Sequence, residues 1–330
     1  MNAAETTRLQ IILALRAIPG VGNATLKPLL SYVQAEFDPD EFSSIVSQLP
    51  IKPQYRRLIQ DGVTSSAWQQ YLDVAQRLLD QAEKHDVTLV AWDSPTYPVH
   101  LKLVSDAPAL LFMKGQLPDS KRTVACVGTR GLSAFGRSAA ERITTFLGEQ
   151  GWTIVSGLAK GIDTVSHRAA LDAGAPTVAI LGNGLDFIYP AENKVLAHEI
   201  IARGGALLSE QPFGAEPTPG NLVQRDRLQS GMSVATIIFE TAVNGGAMRT
   251  ARFAQKQGRL LVCPVPTEKY AALPSCSGVL ELLANAATFR VPRRDAYPAL
   301  AQVLEAAAAN LSTEAQQVPS TASIPYPEQR

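Results

Sequence analysis

Two apolar runs of strand character, 123–127 and 153–155, each end in a glycine-rich turn, and an amphipathic stretch separates them. The first run reads as a buried parallel strand. After it, Gly128-Thr129-Arg130-Gly131 lets the chain turn without a Cβ clash while Arg130 projects over the strand end. A helix over 134–149 follows, with Ala140, Ile143, Phe146 and Leu147 on one face. The second run leads into Ser156-Gly157-Leu158-Ala159-Lys160-Gly161-Ile162-Asp163, whose unpaired N–H groups open another helix. Ligands of an open parallel sheet bind beyond the carboxyl ends of its strands, where helix N-termini concentrate positive potential, so phosphate is the expected guest of Arg130 and Lys160. Ordinary strand-to-helix turns use glycine too. The reading therefore rests on two adjacent turns, each with a cation.

The 330 residues leave room for about two domains, and 46% hydrophobic with 18% charged residues is ordinary for a globular chain. Formal net charge is zero, so any polyanion has to be met by a local patch rather than by overall attraction. Cys126, Cys263 and Cys276 lack metal-ligand spacing; the first two lie inside apolar runs and read as packing residues. No metal and no cofactor is expected. The start MNAAETTRLQ lacks the basic and apolar parts of a signal peptide, and no run nears 18 apolar residues, so a cytoplasmic protein without membrane contact is expected.

Helical periodicity fills 1–85, through Leu9, Ile12, Leu13 and Leu15, then Leu26, Leu29 and Leu30, then Phe42 and Ile45, and finally Trp68, Leu72, Ala75 and Leu79. Over 86–295 strands alternate with helices. Strands are expected at 88–91, 109–113, 123–127, 153–155, 177–181, 206–209, 234–239 and 259–262, with later helices near 191–202, 221–230 and 247–257. Such alternation predicts an α/β domain with a mostly parallel sheet and helices on both faces. Residues 296–330 read as a short helix at 298–309 and a disordered tail.

Inside the helical part, Ile18-Pro19-Gly20-Val21-Gly22 between two helical stretches resembles a helix-hairpin-helix. Its turn amides, with Lys27, would meet a nucleic-acid phosphate without reading sequence. A plain helical hairpin fits the same residues.

The blocks VACVGTRGLSAFGR, IVSGLAKGIDTVSHRAAL, TVAILGNGLDFIYPAEN and ALLSEQPFG resemble the DprA/Smf family of bacterial DNA-processing proteins over most of the α/β part. The resemblance implies an extended Rossmann-like domain, preceded by a small all-α domain of sterile-alpha-motif-like (SAM-like) or helix-hairpin-helix type. It further implies single-stranded DNA bound in a basic pocket, a homodimer, and delivery of the strand to the RecA recombinase in the recombination that accompanies natural transformation. A winged-helix domain that many members carry after the Rossmann part does not fit in the residues after Arg294.

Position by position, Arg130 matches the arginine of the family's G-[ST]-R turn, and Ser156, Gly157, Lys160 and Gly161 match its second phosphate-facing turn. Asp163 and His167 match too, with structural roles. Arg225 and Arg227 are the arginines of the family's F-P-x-R-N-R, here Leu222-Val223-Gln224-Arg225-Asp226-Arg227: a stacking aromatic has become Leu222 and an asparagine the acidic Asp226. In the later turn a hydroxyl is lost at Ala247 and Arg249 is gained. Of the nearby aromatics Phe135, Phe187, Tyr189 and Phe213, the second and third read as packed on the sheet. Two other classes use similar crevices. A nucleotide hydrolase would draw on Ser156, Asp163, His167, Glu210 or Glu240, but Asn244-Gly245-Gly246-Ala247 lacks that class's proline, third glycine and following glutamate. A nucleotide sensor would need a nearly identical pocket.

Overall fold

The computed structural model describes residues 2–118 and 121–317. They form two compact units, one of 2–97 with 105–112 and one of 98–104 with the described residues from 113 to 317.

The first unit holds five helices, α1 (Ala3–Ala17), α2 (Asn23–Leu26), α3 (Pro39–Gln48), α4 (Pro53–Thr64) and α5 (Trp68–Lys84), followed by strand β1 (Thr88–Ala91). Asn2 caps α1 by accepting from the Glu5 amide, and Leu9, Ile12, Leu13 and Leu15 are buried as their spacing predicts. α4 falls within the stretch expected to be helical, although none of its residues was singled out, because only Ile59, Gly62 and Val63 of it are buried and its apolar stripe is thin. The stretches around β1 group with these helices rather than beginning a new unit at 86. Internal bonds explain why: Arg8 pairs with Asp93 at 2.5 Å, Lys27 Nζ donates to the Ser105 carbonyl at 2.8 Å, and the Ala109 amide donates to Asn23 Oδ1 at 3.0 Å.

Strand β2 (Leu110–Gly115) leads into the second unit. There the chain alternates through β3 (Thr123–Val127), α6 (Ala134–Glu149), β4 (Thr153–Ser156), α7 (Ile162–Asp172), β5 (Thr177–Leu181), α8 (Lys194–Ala202), β6 (Ala206–Ser209) and α9 (Pro219–Gly231). It continues with β7 (Ala235–Ile238), α10 (Gly246–Lys256), β8 (Leu260–Pro264), α11 (Glu268–Ala271), α12 (Ser277–Ala284), β9 (Phe289–Val291) and α13 (Tyr297–Gln317). The strands from β3 onward lie in the order β6-β5-β4-β3-β7-β8-β9, every described pair parallel.

Alternate residues along the strands feed two cores, one on each face. Val124, Cys126, Ile237 and Val262 meet α6 and α13, whereas Val127, Ile238, Leu261 and Cys263 meet α10 and α12. Cys126 and Cys263 are fully buried and their thiols are pushed up to about 12 by burial, as expected of packing residues. α12 and β9 were not expected, although Val279, Leu282 and Leu283 carry a helical period.

The short helix expected at 298–309 is instead the 21-residue α13. Tyr297, Leu300, Leu304, Ala308 and Leu311 recur at three- and four-residue spacing and are buried in the first core, so alanine-rich composition hid a core helix. The tail expected beyond it lies outside the described residues. Among the described residues, no helix is long and apolar enough to cross a membrane, and no cluster could hold a metal ion.

Candidate functional site

The order of strand addition reverses between β3 and β7: the strands after β3 are laid down on one side of it, then β7 on the other. A crevice opens beyond the carboxyl ends at such a switch point. Here it is a cavity of about 540 Å³, lined among others by Gly128, Arg130, Leu222, Arg225, Asp226 and Arg249. A smaller cavity of about 50 Å³ adjoins it and shares Arg130, Ala159, Leu222 and Arg225; Lys160, Tyr189 and Pro190 are among the other residues that line it.

The two glycine turns are bound to each other. The Ile162 amide donates to the Thr129 carbonyl at 3.1 Å, and Gly161 has φ +84° with its Cα so close that a Cβ would lie 2.3 Å from the Thr129 carbonyl oxygen. Only glycine serves there. Arg130 is exposed and makes no hydrogen bond or ion pair among the described residues; Lys160, also exposed, pairs with Glu192.

The helix N-termini at this rim are not vacant. Asp163 Oδ2 accepts from the amides of Gly157 at 3.1 Å and Ala159 at 3.3 Å, so the protein's own carboxylate, in the first turn of α7, holds the glycine turn that leads into it. Burial pushes the pKa of Asp163 up, against the opposing pull of Arg225 and those amides. Glu240 does the same for α6: its Oε2 accepts from the Ser133 amide and hydroxyl at 2.9 and 3.1 Å, and its Oε1 from Ser275 Oγ at 2.5 Å. The amides of Leu158, Lys160 and Gly161 have no partner among the described residues.

Several expected contact groups face inward. Ser156 Oγ donates to the Cys126 carbonyl at 2.6 Å and is buried, so it is spent inside the sheet. Arg225 is buried beneath the second turn, its Nη1 donating to the carbonyls of Gly157 at 2.6 Å and Ile180 at 2.8 Å, with Nε 3.2 Å from Asp226. It adds charge to the floor of the crevice rather than reaching over the rim. Arg227 is buried against Glu210 at 2.7 Å. The C-terminal half of α9 is buried all round, so Arg225 and Arg227, on different sides of the helix, are both enclosed. Gly20 and Gly22 make the turn between α1 and α2, and Lys27 is engaged with Ser105 and the Trp92 ring, 5.7 Å away.

Candidate catalytic groups are likewise occupied. The Thr177 hydroxyl gives its proton to the Ile154 carbonyl, so His167 Nδ1–H donates to it at 2.7 Å. Burial, reinforced by Arg225, lowers the His167 pKa to about 3, which keeps the ring neutral. Glu210 and Glu240 are held as described. Sequence reasoning underestimated Tyr189, which is 39% exposed beside the smaller cavity. Phe135 stacks on Tyr270 with ring centroids 5.7 Å apart.

This arrangement of strands and turns coincides with a known family. The sequence model of DNA recombination-mediator protein A matches residues 88–300. The chain belongs to the DprA/Smf family. Protein Smf of Escherichia coli is 36% identical over 207 residues, covering 61% of this chain and 55% of that protein. The DNA processing protein DprA of Bacillus subtilis is 35% identical over 193 residues, covering 58% and 65%. The chain thus spans between about half and two thirds of the length of these curated relatives. Among solved DprA structures, that from Streptococcus pneumoniae superposes with a TM-score of 0.68 at 26% identity, covering 87% of this chain and 96% of that one. The DprA of Helicobacter pylori, whose structure describes a single-stranded DNA binding mode, superposes with a TM-score of 0.56 at 26% identity, covering 69% and 96%. Arg130, Gly157, Lys160 and Gly161 all lie within the DprA/Smf match.

Proposed function

We propose that the crevice binds single-stranded DNA through its phosphates, without catalysis, and that the protein acts as a recombination mediator handing the strand to a RecA-type recombinase during natural transformation. The observation that carries this reading is the unpartnered Arg130 guanidinium beside the open amides of Lys160 and Gly161, at the mouth of a cavity that also holds Arg225 and Arg249. A polyanion supplies the missing acceptors. Aromatic surface for bases is small, with Tyr189 the exposed ring, so binding tolerates any sequence. Kinship with a DprA that binds single-stranded DNA points the same way. The acids and the histidine that a hydrolase would use are held in structural hydrogen bonds, which favours binding over bond cleavage. A homodimer in this role is part of the proposal.

The test is a titration of labelled oligothymidine at several salt concentrations beside a matched duplex and a panel of mononucleotides. Preferential binding of the single strand is expected, with Arg130→Ala weakening all sequences alike and lowering the log-log salt slope by about 0.7. Equal affinity for duplex, or a mononucleotide bound more tightly than the oligomer, overturns it.

A further inference from the structure

The second unit carries another cavity at the same edge of the sheet, of about 660 Å³, formed by the outer face of α6, the ends of β8 and β9 and the start of α13. Three arginines line it, Arg142, Arg293 and Arg294, all exposed and none in a hydrogen bond or ion pair among the described residues. Arg142 and Arg294 bear electrostatically on the Tyr297 hydroxyl. Phe135, Phe146 and Tyr297 also line it, Phe146 packed on the buried Tyr297 and Phe135 stacked on Tyr270. Two acids, Glu141 and Glu149, also line it, and Glu141 already faces Arg137 at 3.9 Å, so the arginines prevail. Exposed arginines without ion-pair partners suit the phosphates of a nucleic-acid strand.

The cavity shares no lining residue with the crevice, but their walls are tied together through the buried Glu240. Ser275 lines the crevice and holds Glu240; Glu240 holds Ser133 at the start of α6; and Phe135, two residues on, lines the second cavity while stacking on Tyr270. From β3 to β9 is three strand spacings, roughly 14 Å, a distance covered by about four stacked nucleotides.

We infer that the Arg142, Arg293 and Arg294 cavity is a second subsite for the same single strand, engaged only by DNA long enough to leave the crevice past Phe135. This rests on the crevice being a single-stranded DNA site. An acidic protein segment would meet the arginines but would have no reason to run on from the crevice.

The experiment compares oligothymidines of about six and about twenty nucleotides on the full chain and on Arg293→Ala/Arg294→Ala and Arg142→Ala/Arg293→Ala/Arg294→Ala variants. The triple variant should bind the short oligomer as the parent does. For the long oligomer it should lose roughly tenfold in affinity and about 2 in log-log salt slope. Lysine at the same three positions should restore most of the slope, which a packing defect would not allow. If long and short oligomers weaken equally, or neither changes, the subsite is overturned. Loss of binding to poly-glutamate with an unchanged oligomer length dependence also overturns it and assigns the cavity to an acidic protein. Failure of the crevice reading looks different: the parent then binds neither oligomer, or Arg130→Ala affects neither.

Discussion

Arg225 lies directly under Gly157: its Nη1 donates to the glycine carbonyl at 2.6 Å, and a Cβ on that glycine would come within 1.6 Å of the same nitrogen. The glycine of the second turn is therefore needed for the arginine beneath it as much as for the turn. Gly157→Ala has to displace a buried guanidinium that also serves Ile180 and neighbours Asp226. Arg225→Ala should lower unfolding free energy by about 3–5 kcal/mol, because the buried Asp163 and Asp226 lose their cation. Urea denaturation checks this, and Gly157→Ala should be comparably destabilised.

Arg130→Ala should behave in the opposite way. Its side chain is exposed and unpartnered, so stability should stay within about 0.5 kcal/mol of the parent while binding falls. Thermal melts run beside the titration separate the two classes of arginine.

Asp226 makes the crevice sensitive to acid. Burial raises its pKa to about 6; Asp163 adds to the rise, and Arg225 and Arg249 oppose it. Its carboxylate is thus charged above about pH 6, where it repels a polyanion, and protonated below. Binding at constant salt should tighten as pH falls from 7.5 to 5.5, by roughly fivefold if one charge at about 8 Å is removed. Asp226→Asn should bind at pH 7.5 as the parent does at 5.5. On stability the sign is the same: a raised carboxyl pKa makes the native state bind protons more readily than the unfolded chain, so stability gained on acidification through pH 6 is lost on returning upward. A pH series of urea melts on parent and Asp226→Asn should diverge across that window.

Glu240 looks catalytic by position and is structural by bonding. Glu240→Ala removes the acceptor of the Ser133 amide and hydroxyl and of the Ser275 hydroxyl and should cost about 2–4 kcal/mol in a urea melt. Mononucleotides incubated with the parent should release no free base.

α13 contributes to folding. Leu304→Ala, at a fully buried position of the first core, should cost about 2–5 kcal/mol by chemical denaturation, whereas Glu305→Ala, in an exposed pair with Arg122, should cost under about 1.

The strands and their turns were legible because local signals set them: apolar runs, helical period and glycines where φ must be positive, as at Gly161. The partition of the site into rim and interior was not. Ser133 and Glu240 are 107 residues apart, so nothing near either shows that a carboxylate already fills the helix start. Arg225 and Arg227 read as contacts because charge is ordinarily solvated, yet both lie in the half of α9 that is buried all round. A local clue existed for Arg225, since a buried acid such as Asp163 needs a nearby cation. The cavity at Arg293 and Arg294 was invisible for another reason: two of its three arginines come from the turn after β9, a strand of three residues too short to announce itself.

The bond from Ile162 to Thr129 has a bearing on how ligands are chosen. With the two loops locked backbone to backbone, the spacing of the main chain at Arg130 and Lys160 is set by the scaffold. If the crevice takes the strand proposed for it, the guest has to adjust its torsions to that spacing, which a flexible chain does more readily than a stiff one.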